Sequence, residues 1–299
     1  MEPAGNSPGL VWRFGRRGDV VLDRPLVMAI LNVTPDSFHD GGRLGSVEAV
    51  VEAARRAVEA GAGAIDIGGE STRPGAVSVG ENEQIRRTAP AVRAIREAGI
   101  ECVISVDTTR AAVARACLEA GADAINDVSA GTDDAEMLRV AGGEGAGLIL
   151  MHRLVKPDRD RYSDAYGAAP VYGDVAAVVG AFLKERCEAA RAGGVAEACL
   201  CVDPGLGFGK SVEQNLELIR RTGEIGAACG RPVVSALSRK SFVGRVSLGR
   251  ESTPEERLGG TLGMSVVHYV EGARVFRVHD VREHVEALEG ARRAWERGV

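Results

Sequence analysis

Aromatic residues make up only 4% of this 299-residue chain, so its core has to be built from aliphatic side chains rather than stacked rings. Hydrophobic residues still reach 45% and charged residues 26%, an ordinary balance for a chain that buries a sizeable core. No apolar run approaches the roughly 20 residues needed to cross a bilayer. The opening MEPAGNSPGL lacks the basic-then-apolar layout of a signal peptide, and residues 1–9 read as a disordered start. Basic excess is absent too: the net charge is -5, which gives no footprint for nucleic acid and makes any anion site local. The six cysteines show no CxxC spacing. Cys199 and Cys201 would share one face of a strand, which leaves a metal pair conceivable, yet no His partner sits nearby. Buried free thiols in a reducing cytoplasm are the favoured reading.

What the chain has is alternation. The run Val27 to Leu31 is apolar and short, as in a strand buried on both faces. It turns polar at Asn32 and breaks at Thr34-Pro35-Asp36-Ser37 before the Gly41-Gly42 pair. The same design recurs over Ala64–Gly68, Cys102–Val106, Ala124–Val128, Gly147–Met151, Cys199–Val202, Pro232–Leu237 and Ala273–Val278, each run delivering different polar residues at its end. Helical spacing marks Ser46 to Gly61, Asn82 to Ala98 with Pro90 as a kink point, Arg110 to Ala120, Asp174 to Arg191 and a final charged helix. Thr253-Pro254-Glu255-Glu256 is a capping box with proline at the first helical position. Ahead of the first strand, Leu10–Phe14 and Val20–Leu22 flank a turn, a small N-terminal β-hairpin suited to capping one end of the fold.

Eight β-then-α units predict an α/β protein of the (β/α)8 TIM barrel type, one domain over residues 10–299. A doubly wound open sheet is the runner-up. It needs fewer strands and usually a glycine-rich phosphate turn after the first, which Asn32-Val33-Thr34-Pro35 is not.

Strand side chains alternate between faces, so parity selects what a barrel would point inward. By parity Asn32 follows Met28 and Ile30, Asp107 follows Ser105, Asn126 follows Ala124, Asp203 follows Cys201, and Arg277 pairs with His279. Lys240 and Arg73 stand close to those tips in sequence. Asp107, Asn126 and Asp203 offer acceptors and an amide to a flat heterocycle bearing N–H donors. Arg277, His279, Asn32 and Arg73 resemble an anion cradle, with the asparagine able to ligate a hard cation such as Mg2+. Asp36 and Asp40 serve as well for turn bonds as for chemistry. Asp66 and Glu70 read equally as structural carboxylates bonded to basic neighbours or as catalysts. Lys210-Ser211 follows a glycine run, but Gly205 stands one residue too close to Lys210 for a Walker loop.

The segments NVTPDSFHDGG (Asn32 to Gly42), GGESTRPGA (Gly68 to Ala76), SVDT (Ser105 to Thr108), INDVSA (Ile125 to Ala130), DPGLGFGK (Asp203 to Lys210), SRKSF (Ser238 to Phe242) and RVHDV (Arg277 to Val281) occur in the order, and at the strand ends, that resemble the dihydropteroate synthase family. That resemblance implies condensation of 6-hydroxymethyl-7,8-dihydropterin diphosphate with 4-aminobenzoate to 7,8-dihydropteroate, with release of pyrophosphate, in folate synthesis. It implies a pterin pocket of Asp107, Asn126, Asp203 and Lys240 lined by Met151 and Phe208. The diphosphate would meet Arg277, His279, Asn32 and Thr72, with Asn32 on a Mg2+ cofactor. Phe38, Thr72, Arg73, Pro74 and Ser241 would form the aminobenzoate site, and Asp107, Lys240 and Arg277 would carry the chemistry. The partners implied are these small molecules, with no nucleic acid and no membrane, in a homodimer that sulfonamides would target. One departure stands out: after Met151-His152 the family's glycine and Pro-x-x-Met-Gln are replaced by a longer charged segment, Arg153 to Ala169. His39, where the family usually has serine, is a smaller one. Two rivals remain, a pterin-dependent methyltransferase and a non-catalytic pterin-binding paralogue.

Overall fold

The computed structural model describes residues 10–33 and 47–296 of the chain. Residues 1–9 and the sites read at Asp36, Phe38, His39 and Asp40 lie outside the described residues. Two short strands, β1 (Val11–Phe14) and β2 (Gly18–Val21), pair antiparallel. Then come β3 (Leu26–Asn32), α1 (Val47–Glu59), β4 (Ala64–Gly68), α2 (Glu81–Glu97), β5 (Val103–Asp107), α3 (Ala111–Glu119), β6 (Ala124–Asp127) and α4 (Glu136–Glu144). The second half runs β7 (Gly147–Met151), α5 (Val175–Ala192), β8 (Leu200–Asp203), α6 (Val212–Arg220), α7 (Thr222–Cys229), β9 (Val233–Ser235), α8 (Ser241–Leu248), α9 (Leu258–Val270), β10 (Ala273–Val278) and α10 (Val281–Glu296). Strands β3 to β10 pair in parallel and close into an eight-stranded barrel, β10 returning to β3. The expected barrel is therefore the observed fold. Among the described residues no helix is long and apolar enough to cross a membrane.

Strand parity divides the interior as the alternation requires. One set of strand residues, among them Val27, Ile65, Ile104 and Leu148, packs outward against the helices. The other set, Met28, Ala64, Val103, Ala124, Ile149, Cys201, Val234 and Val275, fills the barrel together with Trp12, Phe14 and Leu22. The hairpin thus plugs the amino-terminal end. Trp12 donates from Nε1 to the Cys199 carbonyl at 2.9 Å. Gly147 has no alternative at its position, because a Cβ there would meet the Phe14 ring at 2.6 Å and Trp12 Nε1 at 2.9 Å.

Three details differ from the sequence reading. Strand β8 begins at Leu200, and Cys199 ends a short 3-10 turn (Glu197–Cys199), so the two cysteines do not share a strand face. Cys201 packs inside the barrel while Cys199 packs in the outer core, which removes the basis for a metal pair. All six thiols are free. Helix α4 escaped the periodicity because it is short and carries Gly142-Gly143 in its last turn; Gly142 is demanded by the backbone of Gly193, whose oxygen a Cβ would meet at 2.6 Å. Helix α2 continues through Pro90. The expected Thr253 capping box with proline at the first position is present, and it opens a 3-10 turn (Pro254–Arg257) leading into α9.

Candidate active site

The carboxyl-terminal end of the barrel opens into a cavity of about 740 Å³. Of the residues singled out from the sequence, Asn32, Thr72, Arg73, Pro74, Asp107, Asn126, Met151, Asp203, Phe208, Lys240, Ser241, Arg277 and His279 all line it. They converge because each ends a strand or opens the loop after one, and every such end lies at the same mouth.

Arg277, from β10, is the centre of the constellation. Its Nε donates to Asp66 Oδ2 at 2.6 Å and its Nη2 to Asp107 Oδ2 at 2.8 Å. The Asp107 carboxyl is pushed up to about 7 by burial, against the opposing pull of the Arg277 charge. Its Oδ1 is buried with no partner among the described residues, an acceptor held ready for a ligand donor. Asn126 donates from Nδ2 to Asp66 Oδ2 at 3.0 Å, which turns the amide oxygen into its ligand-facing group. Asp203 is buried, which raises its pKa, and it accepts from the Gly205 N–H at 2.7 Å. Met151, Phe208 and Val128 form a separate apolar patch at this mouth. The Lys240 ammonium lies 4.3 Å from the centre of the Phe208 ring and donates to the Leu206 carbonyl. Burial lowers its pKa to about 8, with the Asp203 charge opposing. An apolar floor rimmed by acceptors and one cation is a seat for a flat, donor-rich ring.

Beside it stands the anion-facing half. Ser238 Oγ accepts from the His279 backbone N–H at 3.2 Å and lies 3.0 Å from His279 Nδ1. Burial of its flank and then the Arg277 charge push the imidazole's pKa down, so the ring is neutral at pH 7. Where the serine hydroxyl donates to Nδ1, Nε2 carries the N–H. Asn32 Oδ1 leans over Gly68, where a Cβ would meet it at 3.3 Å.

The charged segment that replaces the family pattern is folded into this wall. The family resemblance places this segment beside the pterin pocket, and Tyr162, Ser163, Asp164 and Ala165, which the sequence did not single out, line the cavity. Asp160 accepts from the Gly209 N–H at 2.9 Å, the Tyr166 hydroxyl at 2.6 Å and the Arg161 N–H at 2.8 Å. Asn215 joins the same two loops, donating to Ser163 Oγ at 3.0 Å and accepting from the Gly207 N–H at 2.7 Å. The Gly75 N–H donates to the Pro157 carbonyl at 2.9 Å, tying in the loop that carries Thr72 to Pro74. Arg153, the first residue of the segment, is paired with Asp133 at 2.6 Å.

Lys210 does not line the cavity. It is fully buried, donating to the Gly205 and Phe208 carbonyls at 2.9 Å each and lying 3.0 Å from His152 Nδ1. It staples the glycine loop and has no Walker role. Gly205, at φ 68°, is the residue that lets the loop pass, since a Cβ would collide with the His152 carbonyl. Glu70 accepts from the Val79 N–H and from Gln84 Nε2, so its partners are neutral, not the basic neighbours expected. Asp66, by contrast, does bond to a basic neighbour, Arg277.

Comparison with known proteins agrees with this geometry. Residues 28–279 match the family described as "Pterin binding enzyme". The chain is 40% identical over 273 residues to a dihydropteroate synthase of Synechocystis, covering 91% of each protein. It is 45% identical over 270 residues to a probable bifunctional folylpolyglutamate synthase/dihydropteroate synthase of Haloferax volcanii, covering 90% of this chain but only 30% of that longer protein. A solved Xanthomonas albilineans dihydropteroate synthase with 4-aminobenzoic acid superposes with a TM-score of 0.85 at 39% identity, covering 97% of this chain and 99% of that one. A structure of the Xanthomonas enzyme in complex with 7,8-dihydropteroate gives a TM-score of 0.81 at 36% identity, with the same coverage.

Proposed function

The chain belongs to the pterin-binding enzyme family and acts as a dihydropteroate synthase, and we propose that its barrel mouth performs the synthesis as two half-sites meeting at Arg277. The observation that carries this reading is Arg277 itself: a strand-borne cation bonded to the carboxylate of the ring pocket and open to the cavity shared with Asn32, Thr72 and His279.

Asp107, Asn126 and Asp203 accept from and orient the dihydropterin over Met151 and Phe208, with Lys240 on the ring's edge. Arg277, Thr72 and the Nε2–H of His279 take the diphosphate oxygens. The bond between the methylene carbon and the diphosphate oxygen breaks, and that oxygen keeps the electron pair. Arg277 neutralises the charge as it develops, while the Asp107 carboxylate faces the electron-poor methylene. The amine of 4-aminobenzoate, positioned by Arg73, Pro74 and Ser241, gives its lone pair to the methylene and then loses a proton to the released pyrophosphate or to solvent. Positioning matters more than activation here, since the neutral amine is already nucleophilic.

Among the described residues no group of three or more His, Cys, Asp or Glu could hold a metal ion. Mg2+ normally keeps water and substrate phosphate as most of its ligands, so the Asn32 amide oxygen suits a Mg2+ carried in on the diphosphate. Bound there, it would add charge neutralisation at the leaving group. A cytoplasmic homodimer, with sulfonamides competing for the aminobenzoate side, belongs to the same proposal.

The test is pyrophosphate release from the purified protein. Release that requires the dihydropterin diphosphate, 4-aminobenzoate and Mg2+ together supports the reading. Pterin binding without release would favour a non-catalytic paralogue, and methyl transfer from a folate would favour the methyltransferase.

A further inference from the structure

Asp66 is a charged side chain at the centre of this site that does not line the cavity. It sits on β4 with no exposure, between Ile30 on β3 and Ser105 on β5. One of its oxygens, Oδ2, accepts both from Arg277 Nε at 2.6 Å and from Asn126 Nδ2 at 3.0 Å. Those two donors serve different halves of the site, the arginine the diphosphate and the asparagine the ring. From this sharing we infer that Asp66 is a positioning residue coupling the half-sites, so that occupying either one orients the group that serves the other. The inference rests on the assignment of ring and diphosphate given above.

Charge neutralisation alone does not explain Asp66. Asp107 already pairs with Arg277 at 2.8 Å, and a second buried carboxylate on one guanidinium adds desolvation cost and net negative charge. What the second carboxylate adds is geometry. Asp107 holds Nη2 and Asp66 holds Nε, so one edge of the guanidinium is fixed and Nη1 is left to the diphosphate. The bond from Asn126 fixes the amide against flipping and commits its oxygen to the ring. Because both bonds end on a single oxygen, a shift of either donor is felt by the other directly.

Isothermal titration of 6-hydroxymethylpterin, with and without saturating pyrophosphate and Mg2+, measures the coupling. In the wild-type protein pyrophosphate should tighten pterin binding roughly tenfold, and by reciprocity pterin should tighten pyrophosphate equally. Asp66→Asn keeps the shape but not the charge, and should bring that ratio to within about twofold of unity. It should lower kcat more than it raises KM. Asp66→Glu restores the charge on a longer arm and should restore thermal stability without restoring the coupling. A lower melting temperature in Asp66→Asn with the ratio unchanged would make Asp66 purely structural and overturn the inference. Absence of coupling in the wild-type protein would overturn it too, even if no variant folds. Failure of the wild-type protein to bind the pterin at all would instead defeat the underlying assignment.

Discussion

At the amino-terminal end of the barrel the inward-facing residues are Met28, Ala64, Val103 and Ile149, sealed by Trp12 and Phe14. A few residues further along the same strands and their neighbours, the same parity delivers Asp66, Asp107, Asn126, Asp203 and Arg277. One end is a packed apolar plug and the other is a crowded set of buried charges. The strand geometry is identical in both; only the side chains change. Such a division lets the plug carry stability while the mouth holds groups that on their own destabilise the fold. The lesson is that the two ends should be separable by mutation.

The sharpest way to break this comparison is at the mouth. Arg277→Ala removes the cation shared by both halves and should lower kcat/KM by about a thousandfold. Titration should show pyrophosphate affinity gone while 6-hydroxymethylpterin still binds. Retained turnover would remove Arg277 from the diphosphate site. At the plug, Trp12→Ala should cost about 3–5 kcal/mol in urea denaturation and leave kcat within about twofold. A kinetic effect there would mean that the ends are not separable.

Smaller effects sharpen the boundary. Asp160→Ala frees three donors: the Gly209 N–H, which ties the charged loop to the glycine loop, and the Arg161 N–H and Tyr166 hydroxyl, which hold the charged loop itself. It should raise KM for the pterin substrate about tenfold, with little change in kcat, as expected for losing about 1.4 kcal/mol of pocket positioning. The smallest expected change is with pH. The Asp107 carboxyl is raised from 3.8 to about 7 by burial. Above that pH it is ionised and accepts fully from a ring N–H, so pterin affinity should rise from pH 6 to 8. Stability runs the other way. The folded state keeps a proton that the unfolded chain has lost, so the contribution of Asp107 is present at low pH and lost as pH rises through about 7. Urea midpoints and titrations across that range check both signs, and both trends should flatten in Asp107→Asn.

The barrel and most of its mouth were legible in the sequence because parity is a local signal. An apolar run ending in Asp, Asn or Arg shows which residue faces inward, whatever its distant partners are. Asp66 was not decided, since the partner that gives it meaning, Arg277, lies 211 residues away. The segment from Arg153 to Ala169 was read as longer, charged and beside the pterin pocket, with none of its residues assigned to the site. Its order comes from Asp160 reaching Gly209 and Ser163 meeting Asn215, pairs separated by 49 and 52 residues. Neither pair leaves a periodic trace. Helix α4 was missed for a related reason, because the packing that needs Gly142 erases the pattern that would reveal the helix.

The most direct measurement is a structure of this protein with 7,8-dihydropteroate, pyrophosphate and Mg2+ bound. The pteridine is expected on Met151 and Phe208 with its N–H groups on Asp107, Asn126 and Asp203. Pyrophosphate is expected on Arg277 and His279, with Asn32 as the residue that would hold Mg2+. Pyrophosphate bound away from Arg277, or a pteridine outside the Asp107–Asp203 rim, would contradict this assignment.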